Sequence, residues 1–341
     1  MKLACILLAA LPLLGGDYLE EDLLKSKPYR EAQYAQLKAY AEALPMKPAP
    51  SGGTLRAAIG YPSPRIKAQG QPRVEAIGED SLGTYSRMWI RVSPEMEVYG
   101  LYLVPKAVKL PRPLVIAKHG GAGFPELALF HGGANYHDLI RGALKEGYVV
   151  WAPLSVMHPR RDVQNGGTSA IPVEVRKELD DVLRTKGTSL AAVEVSKISA
   201  SLDVLLKRKE VDPRHVGMTG LSYGGYYTMY AAALEKRITA AAASCGMRVF
   251  PGVNGSSTEK PEGRLIDLDA AEVARLIYPR PLHIQFGIGD EGLKITDVRP
   301  MAEKVKAVYS AAPAKLDYVE FDGKHEFRGE PVWTFLRKWL Q

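Results

Sequence analysis

The segment Gly220-Leu221-Ser222-Tyr223-Gly224 sets a serine between two glycines, each two residues away. A serine hydroxyl is a weak nucleophile until a base takes its proton, and a carbonyl carbon must be able to reach it. A sharp turn from strand to helix presents the hydroxyl in that way. The turn also brings strand and helix so close that the residues two before and two after the serine must be small. Gly220 and Gly224 meet this demand, and Gly225 adds room. The apolar run His215 to Thr219 reads as a strand and Gly224 to Leu234 as a helix, so the pentapeptide falls at such a turn. The pattern predicts Ser222 as a nucleophile for acyl transfer. The bland alternative is a glycine-rich helix start.

With this turn the chain resembles the α/β-hydrolase superfamily over roughly residues 97 to 341. The approach Glu210-Val211-Asp212-Pro213-Arg214-His215-Val216-Gly217 is similar to that of bacterial acetyl-xylan-esterase-like, dienelactone-hydrolase-like and prolyl-oligopeptidase-like hydrolases. The resemblance implies the chain order nucleophile, acid, histidine. For the acid it points to Asp290, after the strand Ile284-Gln285-Phe286 and a glycine break, with Glu291 as the adjacent alternative. For the base it points to His325, in the loop after the strand ending at Phe321. Of the six other histidines, His283 lies inside a strand, His215 starts one, His137 reads as a helix-surface residue, and His158 precedes the serine. An oxyanion hole needs backbone N–H groups aimed at the developing charge. The resemblance implies Tyr223 as one donor. The other would come from the loop His119-Gly120-Gly121-Ala122-Gly123, with Gly121 preferred over Gly120. The similar His131-Gly132-Gly133 follows no comparable strand and reads as a decoy.

Three departures bear on activity. Dienelactone hydrolases proper use cysteine, where this chain has Ser222. No propeller repeat precedes the catalytic region, unlike an oligopeptidase. Tyr223 stands where the best-defined acetyl xylan esterases carry glutamine, so acetyl-sugar specificity does not follow from the resemblance.

The elements that must position these residues read as an α/β chain. Strand-like segments at Arg73 to Ile77, Tyr85 to Val92 and Glu97 to Val104 come first, the last two forming a hairpin. Strands at Leu114 to Lys118, Tyr148 to Ala152, His215 to Thr219, Ile238 to Ala243, Pro281 to Phe286 and Lys315 to Phe321 then alternate with helices. The helices are Tyr136 to Glu146, Ser189 to Arg208, Gly224 to Leu234, Val298 to Ser310 and Pro331 to Leu340. Alternation implies right-handed crossovers and a mostly parallel sheet, with catalytic groups outside the carboxyl ends of its strands. The expected fold is an α/β-hydrolase with antiparallel N-terminal strands and helices on both faces. Inserts at about 155–188 and 246–266 are expected to cap or line the site. In the first, Arg160 and Arg161 are candidates to hold an acidic substrate group, or are simply solvated. In the second, Asn254-Gly255-Ser256 matches a glycosylation acceptor, which is a weak signal.

Ahead of the catalytic region (71–341), residues 17–44 read as an amphipathic helical stretch interrupted at Pro28. Residues 45–64, with five prolines and Gly52-Gly53, read as a linker or extended arm. Residues 1–16 have the layout of a signal peptide: Lys2, the apolar run Leu3 to Leu14, too short to span a bilayer, then Gly15-Gly16. Export is the expectation, with a cytoplasmic location if the segment is instead a buried or peripheral helix. After cleavage Cys245 stands alone, which leaves no disulfide framework and no cysteine metal site.

The 341 residues are 46% hydrophobic and 24% charged, as in a soluble globular enzyme. The net charge of +7 is scattered, its tightest cluster being Lys207-Arg208-Lys209, and no nucleic-acid motif accompanies it. No phosphate-binding loop, dinucleotide fingerprint or H-E-x-x-H occurs, so neither cofactor nor metal is implied. The sequence therefore reads as a serine esterase acting through an acyl-enzyme, on a small-molecule or carbohydrate ester such as an acetyl sugar, with no nucleic acid and no stable membrane anchor. The alternatives are a serine peptidase of the oligopeptidase type and a non-catalytic binding protein on the same fold.

Overall fold

Runs of aliphatic and aromatic residues build nine strands in the computed structural model of the chain, which describes residues 18–48, 53–106, 108–121, 123–130, 135–155, 173–247 and 270–340. They are β1 (Arg73–Glu79), β2 (Gly83–Arg91), β3 (Glu97–Pro105), β4 (Arg112–Lys118), β5 (Val149–Pro153), β6 (Val211–Leu221), β7 (Ala240–Ser244), β8 (Leu282–Gly287) and β9 (Leu316–Phe321). The order across the sheet is β1-β2-β3-β5-β4-β6-β7-β8-β9. The pairs β1/β2, β2/β3 and β3/β5 are antiparallel, and every pair from β5/β4 to β8/β9 is parallel. The central parallel strands are covered on both sides: β5, β7 and β8 are buried at every residue.

The helices are α1 (Tyr18–Ala43), α2 (Leu55–Ile59), α3 (Pro125–Phe130), α4 (Leu139–Lys145), α5 (Val173–Thr185), α6 (Leu190–Leu205), α7 (Tyr223–Leu234), α8 (Ala270–Ile277), α9 (Ile295–Val308) and α10 (Gly329–Trp339). One core cluster joins Leu37, Tyr40, Leu55 and Ile59 of the N-terminal segment to the sheet.

Three local expectations are corrected. First, α1 runs through Pro28 without a break. An interior proline costs about 3 kcal/mol. Leu37, Tyr40 and Leu44, all fully or nearly fully buried, each contribute about 1.5–3 kcal/mol on burial and outweigh it. Second, the proline-rich 45–64 stretch holds α2, capped by Thr54 accepting from the Ala57 amide and closed by Gly60 in the left-handed region. Third, His137 precedes α4 in a turn, at φ 41°, rather than sitting on a helix face. The 155–188 insert contains the helix α5. The signal segment, His131-Gly132-Gly133, His158, Arg160, Arg161, Asn254, half of the first insert and most of the second lie outside the described residues. Among the described residues, no helix is long and apolar enough to cross a membrane.

The register decides where the site falls. Lys118 pairs with Gly220, Leu221 with Ser244, and Ser244 with Gln285. The carboxyl ends of β4, β6, β7 and β8 therefore finish side by side, and each delivers its next residues to one place.

Candidate active site

Ser222 sits between β6 and α7 with φ 60° and ψ −119°, a backbone that an L-residue adopts only under strain. Two contacts hold it there. Its N–H donates to Ser244 O at 2.8 Å, and its carbonyl accepts from Tyr226 N at 2.9 Å. The flanking glycines are sterically required. A Cβ on Gly220 would stand 2.6 Å from Lys118 O, and one on Gly224 would stand 2.1 Å from the same oxygen.

Asp290 follows β8 and is buried. One carboxylate oxygen accepts from the Gly292 and Leu293 amides at 2.9 Å each. The other lies 2.5 Å from His325 Nδ1. A carboxylate only accepts, so His325 donates through Nδ1–H, and in the neutral ring the lone pair then lies on Nε2, where a general base needs it. Glu291 is exposed, and Asp290 is the carboxylate that meets the imidazole. Ser222, Tyr223, Asp290 and His325 line one cavity of about 410 Å³, with Cys245, Gly246, Glu291, Leu293 and Lys324.

The histidine loop is clamped from across the fold. Asn135 Nδ2 donates to His325 O at 3.0 Å, and Asn135 O accepts from Phe327 N at 2.8 Å. Glu326, the next residue, pairs with His137 Nε2 at 2.7 Å. Sequence reasoning did not find Asn135, which lies 190 residues from His325 in the chain.

On the oxyanion side, the Gly120 N–H donates to Tyr136 Oη at 3.0 Å, so Gly121 is left as the loop's candidate donor. The amide of Tyr223 opens α7, directly after Ser222. His119 fixes the loop's base. Its Nε2 accepts from Ser155 N at 3.0 Å, so its Nδ1–H donates to Gly120 O at 2.8 Å. Burial and then the neighbouring Lys118 push its pKa down to about 3, and the ring is neutral. Its role is structural.

Of the remaining histidines, His283 is buried in β8 with Nδ1 2.7 Å from Asp317, and His215 pairs with Asp212 at 2.9 Å. The structure thus brings Ser222, Asp290, His325 and Tyr223 to one cavity and keeps His215 and His283 out of its lining.

Cys245 also faces this cavity, with ligand atoms of Asp290 and His325 within 4.8 Å. Burial, reinforced by the Asp290 charge, pushes its thiol up to about 12. Reaction with alkylating agents needs the thiolate. Iodoacetamide at neutral pH is therefore expected to leave activity intact under conditions that fully alkylate free cysteine. Rapid, substrate-protected loss would instead make Cys245 a reacting group.

A strained serine between strand and helix, on a mostly parallel sheet wrapped by helices, defines an α/β-hydrolase. The dienelactone hydrolase family model matches residues 101–317, and the chain belongs to that family. Solved structures agree on the fold. A methylesterase, BT1017, superposes with a TM-score of 0.61 at 18% identity, over 94% of this chain and 67% of that one. A glucuronoyl esterase from Solibacter usitatus gives 0.55 at 14%, over 87% and 98%. Acetyl xylan esterase 1 from Thermoanaerobacterium gives 0.56 at 14%, over 88% and 98%. No curated protein matches the chain by sequence.

Proposed function

We propose that the chain is a serine carboxylic-ester hydrolase acting on short-acyl esters of carbohydrates. The observation that carries this reading is the His325–Asp290 pair, 2.5 Å apart, sharing one cavity with the strained Ser222. His325 Nε2 takes the Ser222 Oγ proton as Oγ attacks the ester carbonyl. The carbonyl oxygen, now negative, is held by the Tyr223 and Gly121 amides. The alcohol leaves with the proton returned by His325, and the acyl group stays on Oγ. Water, deprotonated by His325, then releases the carboxylic acid and restores Ser222. Asp290 keeps the imidazole in the required tautomer and stabilises its charged form.

The names of the structural neighbours support a carbohydrate ester as the substrate class, since they include an acetyl xylan esterase and glucuronoyl esterases. The cavity volume of about 410 Å³ suits a monosaccharide-sized ester.

The test is hydrolysis of p-nitrophenyl acetate, butyrate and octanoate beside an acetylated xylo-oligosaccharide, with mass spectrometry of fluorophosphonate-treated protein. The expected result is fastest turnover of acetyl esters and a single adduct on Ser222. Preference for octanoate would remove the short-acyl claim. Cleavage of aminoacyl-nitroanilides with no ester turnover would replace the esterase by a peptidase.

A further inference from the structure

Behind the oxyanion loop lies a charged cluster that the mechanism above does not use. Lys118, Glu194 and Lys197 are each at most 1% exposed. Lys118 Nζ meets one Glu194 oxygen at 2.9 Å, and Lys197 Nζ meets the other at 2.7 Å. Isolated buried ions are costly, and a pair offsets that cost only with good geometry. Here, among the described residues, two ammonium groups share one carboxylate, which leaves one positive charge in the interior.

The cluster joins the loop by short links. Lys118 immediately precedes His119-Gly120-Gly121 in the chain. Lys197 also donates to Leu154 O at 3.3 Å. The adjacent Ser155 N donates to His119, which in turn donates to Gly120 O. Gln33 of α1 completes the set. With its amide turned to satisfy both ends, it donates to Ser155 O at 3.2 Å and accepts from Lys197 Nζ at 3.1 Å.

We propose that Lys118, Glu194 and Lys197 are positioning residues for the oxyanion loop, and that their uncompensated cation stabilises the negative charge formed at the Gly121 amide. The proposal rests on the esterase reading and on Gly121 as a donor. In a dry interior such a charge is poorly screened and favours the anionic transition state over the neutral ester.

Two supports come from titration. Both lysines press on Glu194 and hold its carboxyl well below the usual range, although burial alone would raise it. Burial, opposed by Glu194 and aided by Lys197, lowers Lys118 to about 8. Among the described residues, the groups facing Lys118 are Glu194 and Lys197 from α6, the Tyr227 ring from α7 and neutral His119, the next residue in the chain. Below about pH 8 the cluster carries one net positive charge. Above it, Lys118 loses its proton and the net charge falls to zero.

The experiment measures kcat and KM on p-nitrophenyl acetate from pH 6 to pH 10, with melting temperature, for wild type, Lys197→Met and Lys197→Arg. In Lys197→Met the Lys118–Glu194 pair remains balanced. The expected result is kcat lower by about tenfold with KM within about twofold, and an alkaline limb of kcat shifted upward because Lys118 has lost a repelling neighbour. Lys197→Arg keeps the charge and is expected to retain kcat within about threefold. An unchanged kcat in folded Lys197→Met would overturn the proposal, as would equal loss in the Met and Arg variants. Should Lys197→Met not fold, the wild-type profile decides alone, since a kcat flat through pH 8 to 10 is equally fatal. Ser222→Ala run alongside separates the two readings: full activity there sinks the esterase mechanism, whatever Lys197 does.

Discussion

Replacing Ser222 by alanine is expected to lower kcat by between about 10,000- and 1,000,000-fold, with KM little changed and the melting temperature no lower. The size follows from how the three groups act. In the proposed mechanism His325 raises the reactivity only of a hydroxyl that is there to lose its proton, and Asp290 acts only through His325. Removing the nucleophile therefore removes the contribution of all three, leaving the oxyanion donors and binding. The stability half of the prediction follows from the backbone. Ser222 holds φ 60° through main-chain contacts to Ser244 and Tyr226, and the change to alanine keeps both. Steady-state kinetics on p-nitrophenyl acetate with a thermal melt checks both parts. A loss below about tenfold would mean that another group attacks the carbonyl.

Much of the fold was legible because its signals are local. The apolar strands and intervening helices announce a parallel sheet from Leu114 onward, and a G-x-S-x-G turn at its centre is a steric demand written within five residues. The meeting of Asp290 and His325 was expected from the chain order that the resemblance implies, and the structure places the two side chains 2.5 Å apart. What was not legible depends on contacts between distant segments. Asn135 holds the His325 loop from 190 residues away, and nothing in its own neighbourhood marks it. Lys118 reads as the polar end of a strand until Glu194 of α6 is placed against it. Cys245 gives no hint of its neighbours until β7 is laid between β6 and β8. The continuity of α1 through Pro28 and the existence of α2 have a similar cause, since packing of Leu37, Tyr40, Leu55 and Ile59 into the common core overrides the local preference of proline-rich sequence.

The steric argument for the serine turn predicts that Gly224→Ala will do more damage than its single added methyl group suggests. That carbon would lie 2.1 Å from Lys118 O, 2.8 Å from Lys118 C and 2.9 Å from His119 O. All three are backbone atoms, so no rotamer change relieves the clash. Either the start of α7 tilts away from the sheet or the end of β4 is displaced, and β4 is paired on both sides, with β5 and β6. Overpacking of this kind costs about 1–3 kcal/mol where side chains can yield, and the upper end or more is expected where only backbone is available. For a chain of 341 residues that corresponds to a melting temperature lower by roughly 4 °C or more. Activity should fall with it, because the same movement shifts Ser222 against His325 and drags the Lys118–Gly121 segment that carries the proposed second oxyanion amide. Gly292→Ala is the comparison: its Cβ meets Asp290 Oδ1 at 3.5 Å, an ordinary contact, and it should melt close to wild type. Equal melting temperatures for Gly224→Ala and wild type would show that α7 can draw back from β4 at little cost, and the close packing at the turn would then owe nothing to glycine at that position.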